Sequence, residues 1–244
     1  MHITNGIVLA LFGGLFPAIL WLWLWLREDN IHPEPRKRIL LAFLYGMLVI
    51  PFAFLIQVLI NDFILHNQSI HTVLKASPGV AFNAIILWAL SEEFVKYIAA
   101  YYAALQFKVT DEPIDVMIYL ITAALGFAAL ENTFYILTPI MNGDTLSAFI
   151  TGNQRFIGST LLHVASSATL GAFVAFSFFK LKGLRKEYLI AGFVCATTLH
   201  ALFNLIIIMN EEAAFYAFLG VWIIIILIIL LFERVKQIHL NKMQ

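Results

Sequence analysis

The chain has 244 residues, 61% hydrophobic and only 12% charged, with a mean hydropathy of +0.89; this is the composition of a polytopic membrane protein and excludes a soluble globular domain. Formal net charge is zero, so there is no electrostatic footprint for nucleic acid, and none is expected as a partner. The single cysteine, Cys195, excludes an internal disulfide and a multi-cysteine metal site; a small packing residue in a helix is its expected role.

The first apolar run, 6–26, is too long for the core of a cleavable leader and has no Lys or Arg before it, so it reads as a span. It ends on Trp21, Trp23 and Trp25 followed by Arg27, expected as an interfacial aromatic anchor and a cationic stop. Further spans are expected at 39–60, 79–106, 114–137 (entered through the helix start Asp111-Glu112-Pro113), 156–179, 188–209 and 213–232. The expected fold class is therefore all-α, a bundle of about seven transmembrane helices around a polar intramembrane cavity. A single transmembrane domain over 1–244 is expected, with the chemistry on the helices at about 79–209. Segment 138–155, with Pro139, Asn142-Gly143-Asp144 and Gly152-Asn153, is the longest polar-marked external loop after 61–78 and a candidate lid or docking loop. Glu211 and Glu212 are expected in a short, solvated loop.

Basic residues set the orientation. Arg27, Arg36, Lys37, Arg38, Lys108, Lys180, Lys182, Arg185, Lys186, Arg234, Lys236 and Lys242 fall on one side of seven spans, and only Lys75 and Arg155 on the other. That bias predicts an external N-terminus and a cytoplasmic C-terminus in the plasma membrane.

The informative residues are those inside the spans. Ser91-Glu92-Glu93-Phe94-Val95-Lys96 lies near the middle of the third, where each charge costs on the order of 2.5–3.5 kcal/mol on insertion scales. Glu92 and Lys96 are four apart and are expected to pair. Glu93 is turned roughly 100° away and needs another partner. The fourth span carries Glu131-Asn132, the fifth His163 with Ser166 and Ser167, and the sixth His200 with Asn204 one turn later. Counted inward at about 1.5 Å per residue, these positions lie roughly 10–20 Å below the external ends and can share one site.

Such groups suit hydrolysis of an amide by an activated water. A carboxylate takes the water's proton and can return it to the leaving group, a histidine donates to the oxyanion or supplies that leaving-group proton, and an asparagine amide donates to the oxyanion. A resident metal is not the first expectation, because the zincin helix motif His-Glu-x-x-His is absent; catalytic zinc on two histidines and the carboxylates is the alternative. Structural readings stand beside these. Ser166 and Ser167 are expected as small packing residues, and Glu131-Asn132 as a polar clamp near the membrane surface.

The series Glu92-Glu93-x-x-Lys96, Phe127-x-x-x-Glu131-Asn132, His163 and His200-x-x-x-Asn204, each on its own helix, resembles the PrsW family of intramembrane proteases, of glutamic type. More distantly it is similar to the CAAX prenyl endopeptidases. The resemblance covers about 79–209. It implies a helix bundle around a polar cavity, peptide-bond cleavage at or within the bilayer, and a single-span substrate. Members are associated with clipping a membrane-anchored anti-sigma factor on its external side, a regulated proteolysis. Carried over by position, Glu92 and Glu93 activate water, His200 and Asn204 take catalytic or oxyanion roles and His163 assists, with Lys96, Phe127, Glu131 and Asn132 in support. Lys96 stands where the CAAX group has an Arg one residue later, so isoprenylcysteine substrates are not expected. The family is also described as metal-dependent, which leaves glutamate against metal open. Two other classes fit buried Glu, Lys and His. One is a proton- or ion-coupled transporter, against which no inverted repeat is visible. The other is a non-catalytic scaffold for single-span partners.

Overall fold

A computed structural model describes residues 3–28, 32–209 and 213–243. Among them there is no strand, and seven helical segments are long and apolar enough to cross a membrane, which makes the chain a multi-pass membrane protein. Glu211 and Glu212 lie outside the described residues.

The first span is α1 (Ile3–Trp25), closed by a tight turn over Leu26–Glu28. The second is a broken pair, α2 (Arg36–Leu48) and α3 (Ile50–Phe63), interrupted at Val49. Pro51 explains the break, since it has no N–H to donate and its ring collides with the carbonyl one turn earlier. A short helix, α4 (Ile70–Ala76), follows on the surface, capped by Ser69, whose Oγ accepts the Thr72 N–H. The third span is α5 (Pro78–Ala100), continued by a π-helical turn at Tyr101–Leu105. The fourth is α6 (Pro113–Met141), started by a capping box between Glu112 and Asp115. The sixth and seventh are α9 (Lys182–Met209) and α10 (Ala214–Met243).

The fifth span corrects an expected loop. Residues 145–154, expected within the external loop 138–155, form α7 (Thr145–Gln154), which runs through a π turn, Arg155–Ser159, into α8 (Thr160–Phe176). Gly152 and Asn153 are helical because α7 packs its Ala148 against Ile136 of α6, and tertiary packing overrides the turn signal of the pair. Only Asn142–Asp144 remain to turn the chain, with Gly143 at φ 79°. Cys195 is also corrected: it lies on α9 but is exposed on the outer surface.

The bundle is built around α6. Of its most apolar 18-residue window 94% is buried, against 22% for α1 and 28% for both α9 and α10. From Val116 to Leu130 its sequence is apolar or small all round, as a central helix requires. Small residues let neighbouring backbones come close. A Cβ on Gly46 of α2 would lie 2.0 Å from the Ala123 carbonyl oxygen, and one on Gly126 of α6 would lie 1.9 Å from that of Phe43. The tryptophans of α1 divide by helix geometry. Trp21 and Trp25, four apart, face inward, Trp21 edge-on to Trp222 and Trp25 stacked on Phe232. Trp23 alone keeps the expected anchor position, exposed beneath the Arg27 guanidinium.

Candidate active site

Glu92, Glu93 and Lys96 sit on the inner face of α5 because the intervening Phe94 takes the lipid side. Opposite them come Phe127, Glu131 and Asn132 of α6, His163, Ser166 and Ser167 of α8, and His200 of α9. All carry out the same demand: a polar side chain in hydrocarbon must find a partner or be very costly.

Lys96 does not pair with Glu92. Its Nζ donates to Glu93 Oε1 at 2.5 Å, both side chains being fully buried. Both the i,i+3 and the i,i+4 partner lie within reach of a helical lysine. The neighbours decide between them, because His200 Nδ1 at 2.7 Å and Ser166 Oγ at 2.8 Å also converge on Glu93 Oε1, and Ser167 Oγ donates to Oε2 at 3.0 Å. Ser166 and Ser167 are thus more than packing residues. Four donors engage Glu93 and hold it as a fixed anchor.

Glu92 is differently placed. Its Oε1 accepts from Gln57 Nε2 of α3 at 2.8 Å. Its Oε2 is buried and has no hydrogen-bond partner among the described residues. That bare oxygen faces His200 Nε2 at 3.6 Å and His163 Nδ1 at 3.9 Å.

The two imidazoles are oriented by carboxylates on their far sides. His200 Nδ1–H donates to Glu93, which leaves the Nε2 lone pair toward Glu92. His163 Nε2–H donates to Glu131 Oε2 at 2.9 Å, which leaves its Nδ1 lone pair inward, where Lys96 Nζ donates to it at 3.1 Å. Phe127 lies over this cluster, 5.4 Å from the His163 ring and 5.3 Å from the Lys96 ammonium.

Glu131-Asn132 forms a clamp, and its partner is Arg155. The guanidinium donates through Nη2 to Glu131 Oε2 and through Nε to Asn132 Oδ1, and it stacks 3.9 Å above the Tyr135 ring. Asn132 Nδ2 donates in turn to Thr160 Oγ1 at 2.9 Å. Arg155, expected as an external-loop charge, is therefore part of the polar cluster. Asn204 is half-buried one turn beyond His200 and has no hydrogen bond to these groups among the described residues.

Gln57 and Arg155, which bond Glu92 and Glu131, were not expected in the site, though each carried a signal. Gln57 is the only amide or charged side chain between 39 and 60. Arg155 directly precedes an apolar run.

The donor set suits a metal ion. Glu92, His163 and His200 each offer one ligand atom, all within 4.8 Å of one another. Three tetrahedral ligands at zinc distances of roughly 2.1 Å lie about 3.4 Å apart, close to the 3.6 and 3.9 Å separations of Glu92 Oε2 from the two histidines. Each histidine also has the carboxylate on its other nitrogen that metal-bound histidines usually have. Glu92, Glu93 and Glu131 outnumber Lys96 and Arg155 by one charge, so a cation is electrostatically welcome there.

No solved structure matches the chain. It is similar to Protease PrsW of Geobacillus kaustophilus, 30% identical over 207 residues, 83% of this chain and 81% of that one. It is also similar to Protease PrsW of Clostridioides difficile, 26% identical over 232 residues, 94% of this chain and 88% of that one. The model of the PrsW family of intramembrane metalloproteases matches residues 34–231, from the start of the second span into α10 and so across every helix that supplies the polar cluster. The chain belongs to the PrsW family and is an intramembrane peptidase.

Proposed function

We propose that the protein is an endopeptidase that hydrolyses a peptide bond of a single-span membrane protein, of the anti-sigma-factor type, near the external side of the plasma membrane. One observation carries this reading. Glu92 Oε2 is buried without a partner and faces the lone pairs of two imidazoles, each braced by a carboxylate.

Glu92, His163 and His200 would hold a divalent cation. When bound, it polarises the scissile carbonyl and activates the attacking water. The rest is done by the chain's own side chains. Glu93 holds His200 by its Nδ1–H, and Lys96 balances the Glu93 charge. Glu131 holds His163. Phe127 covers the cluster and keeps bulk water from it, which strengthens each electrostatic contact. Asn204, one turn from His200, is assigned to donate to the oxyanion once substrate is present. The orientation follows from the basic residues. Cleavage toward the external side follows from depth: Glu131 is about ten residues from the end of α6, and His200 about nine from the end of α9, on the order of 15 Å.

A second reading has its own observation. Lys96 Nζ lies on the Nδ1 lone pair of His163, the place a cation would use. In that state Glu92 itself takes the water's proton, and no metal is needed.

Purified protein in detergent with a single-span peptide tests both. A new peptide N-terminus is expected. Exhaustive chelation is expected to abolish cleavage, and one divalent metal to restore it. Full activity after chelation, with no metal copurifying, would establish the glutamate reading instead.

A further inference from the structure

We infer that Arg155 is a positioning residue, which acts through Glu131 to aim the Nδ1 of His163 at Glu92. The inference rests on the proposed role of His163.

Arg155 reaches this position because of the π turn it begins. Along a regular α-helix the eight steps from Arg155 to His163 sum to about 800°, leaving the two roughly 80° apart. A π turn takes in one extra residue, which removes about 100° and brings them to within about 20° of one face. Gly158 inside the turn makes it possible to pack there: a Cβ at that position would lie 2.2 Å from the Phe218 ring. The irregular turn thus serves a stated end, placing a cation on the histidine face of α8.

The contacts form a chain with a direction. Glu131 Oε2 receives both the Arg155 Nη2–H and the His163 Nε2–H. The guanidinium fork also grips Asn132, so the carboxylate is held between two fixed donors. Without Arg155 the Glu131 side chain has rotamer freedom and an uncompensated charge, and His163 loses the partner that fixes its ring. The pair lies at the open edge of the cluster. Arg155 is 13% and Glu131 20% exposed, against 2% for His163 and 0% for Glu93. Water at that edge would compete for Glu131, and a guanidinium anchored on both Glu131 and Asn132 resists it better than a donor held at one point.

The test is a double-mutant cycle on the purified full chain, with Arg155→Met, Glu131→Met and both together. Zn2+ affinity is read by calorimetry, and kcat and KM on a single-span peptide. Arg155→Met is expected to weaken Zn2+ binding about 10–100-fold, the usual cost of losing a residue that supports a metal ligand, and to lower kcat with KM unchanged. In the Glu131→Met background, where neither donor has an acceptor, the same change should cost less than about two-fold, because its route is already cut. Additive losses, or a rise in KM at constant kcat, would overturn the inference and make Arg155 a structural or substrate-contact residue. If Arg155→Met does not fold by thermal shift, the cycle is run with Arg155→Lys, which keeps the charge but not the fork. A smaller loss that again vanishes with Glu131→Met is expected, and an additive one overturns it. Absence of Zn2+ uptake by the unmodified protein would remove the metal from the proposed function, and the kcat cycle would still decide for or against Arg155.

Discussion

Glu93 accepts hydrogen bonds from Lys96, His200, Ser166 and Ser167, whereas Glu92 receives one, from Gln57. Neighbouring residues of the same type therefore have separable roles. Glu92→Gln replaces the bare oxygen by an amide or leaves a neutral carbonyl there, neither able to serve as carboxylate ligand or base. Cleavage should fall by at least about 10²-fold while the protein stays folded and binds substrate. Glu93→Gln should be the more destabilising change. It turns N–H groups toward Lys96 or His200 and leaves a buried ammonium short of its partner, a loss on the order of 3–5 kcal/mol. Turnover and thermal midpoint measured on both variants check this, and a lower midpoint for Glu92→Gln than for Glu93→Gln would reverse the assignment. Asn204→Ala is expected to lose roughly 10²–10³ in kcat, the scale of one oxyanion donor. Unchanged kcat would remove Asn204 from the reaction.

At the scale of elements, the α2–α6 contact is one of backbone against backbone. Gly46 and Gly126 each meet a backbone carbonyl of the facing helix at about 2 Å from a notional Cβ, and a carbonyl, unlike a side chain, has no rotamer to yield. Gly126→Ala must push α2 off α6, costing about 1–3 kcal/mol or more, and it displaces the next residue, Phe127, from the site. A lower thermal midpoint with reduced turnover is expected. Gly79→Ala is the control: nothing lies within 4 Å of its Cβ, and its midpoint should not fall. A Gly126→Ala protein as stable as the control would mean that the helices are not in backbone contact. The π turn at Arg155–Ser159 is the other decisive element. A straight helical projection puts Arg155 on a different face from His163, so the pattern of residues alone points away from the contact that forms.

For the whole molecule, the folded bundle sharpens the charge bias. Arg155 joins the polar cluster, and Lys75, close to the end of α4, is then the one Lys or Arg left in the described segments that the proposed orientation places outside. We predict that single cysteines at 106–112 and 177–181, in a background with Cys195 replaced, label only from the cytoplasmic side. Those at 64–69 and 142–144 should label from outside. External labelling at 177–181 would overturn the proposed orientation and with it the external position of the cleavage.

Seven apolar runs and the residue types inside them were determined by the sequence, because a bilayer demands about 20 apolar residues per span and makes each buried charge conspicuous. The same economy brought Glu92, Glu93, Lys96, Glu131, His163 and His200 under suspicion together, since groups so costly in hydrocarbon must find one another. Partner choice was a different matter. Lys96 had two carboxylates within helical reach, and only the convergence of His200, Ser166 and Ser167 on Glu93 made Glu93 the anchor and left Glu92 Oε2 bare. Gln57 and Arg155 entered through a proline break and a π turn, both departures from the 3.6-residue period on which a linear reading depends. Which hydrogen bonds form is decided by distances across helices, and those exist only once the bundle has closed.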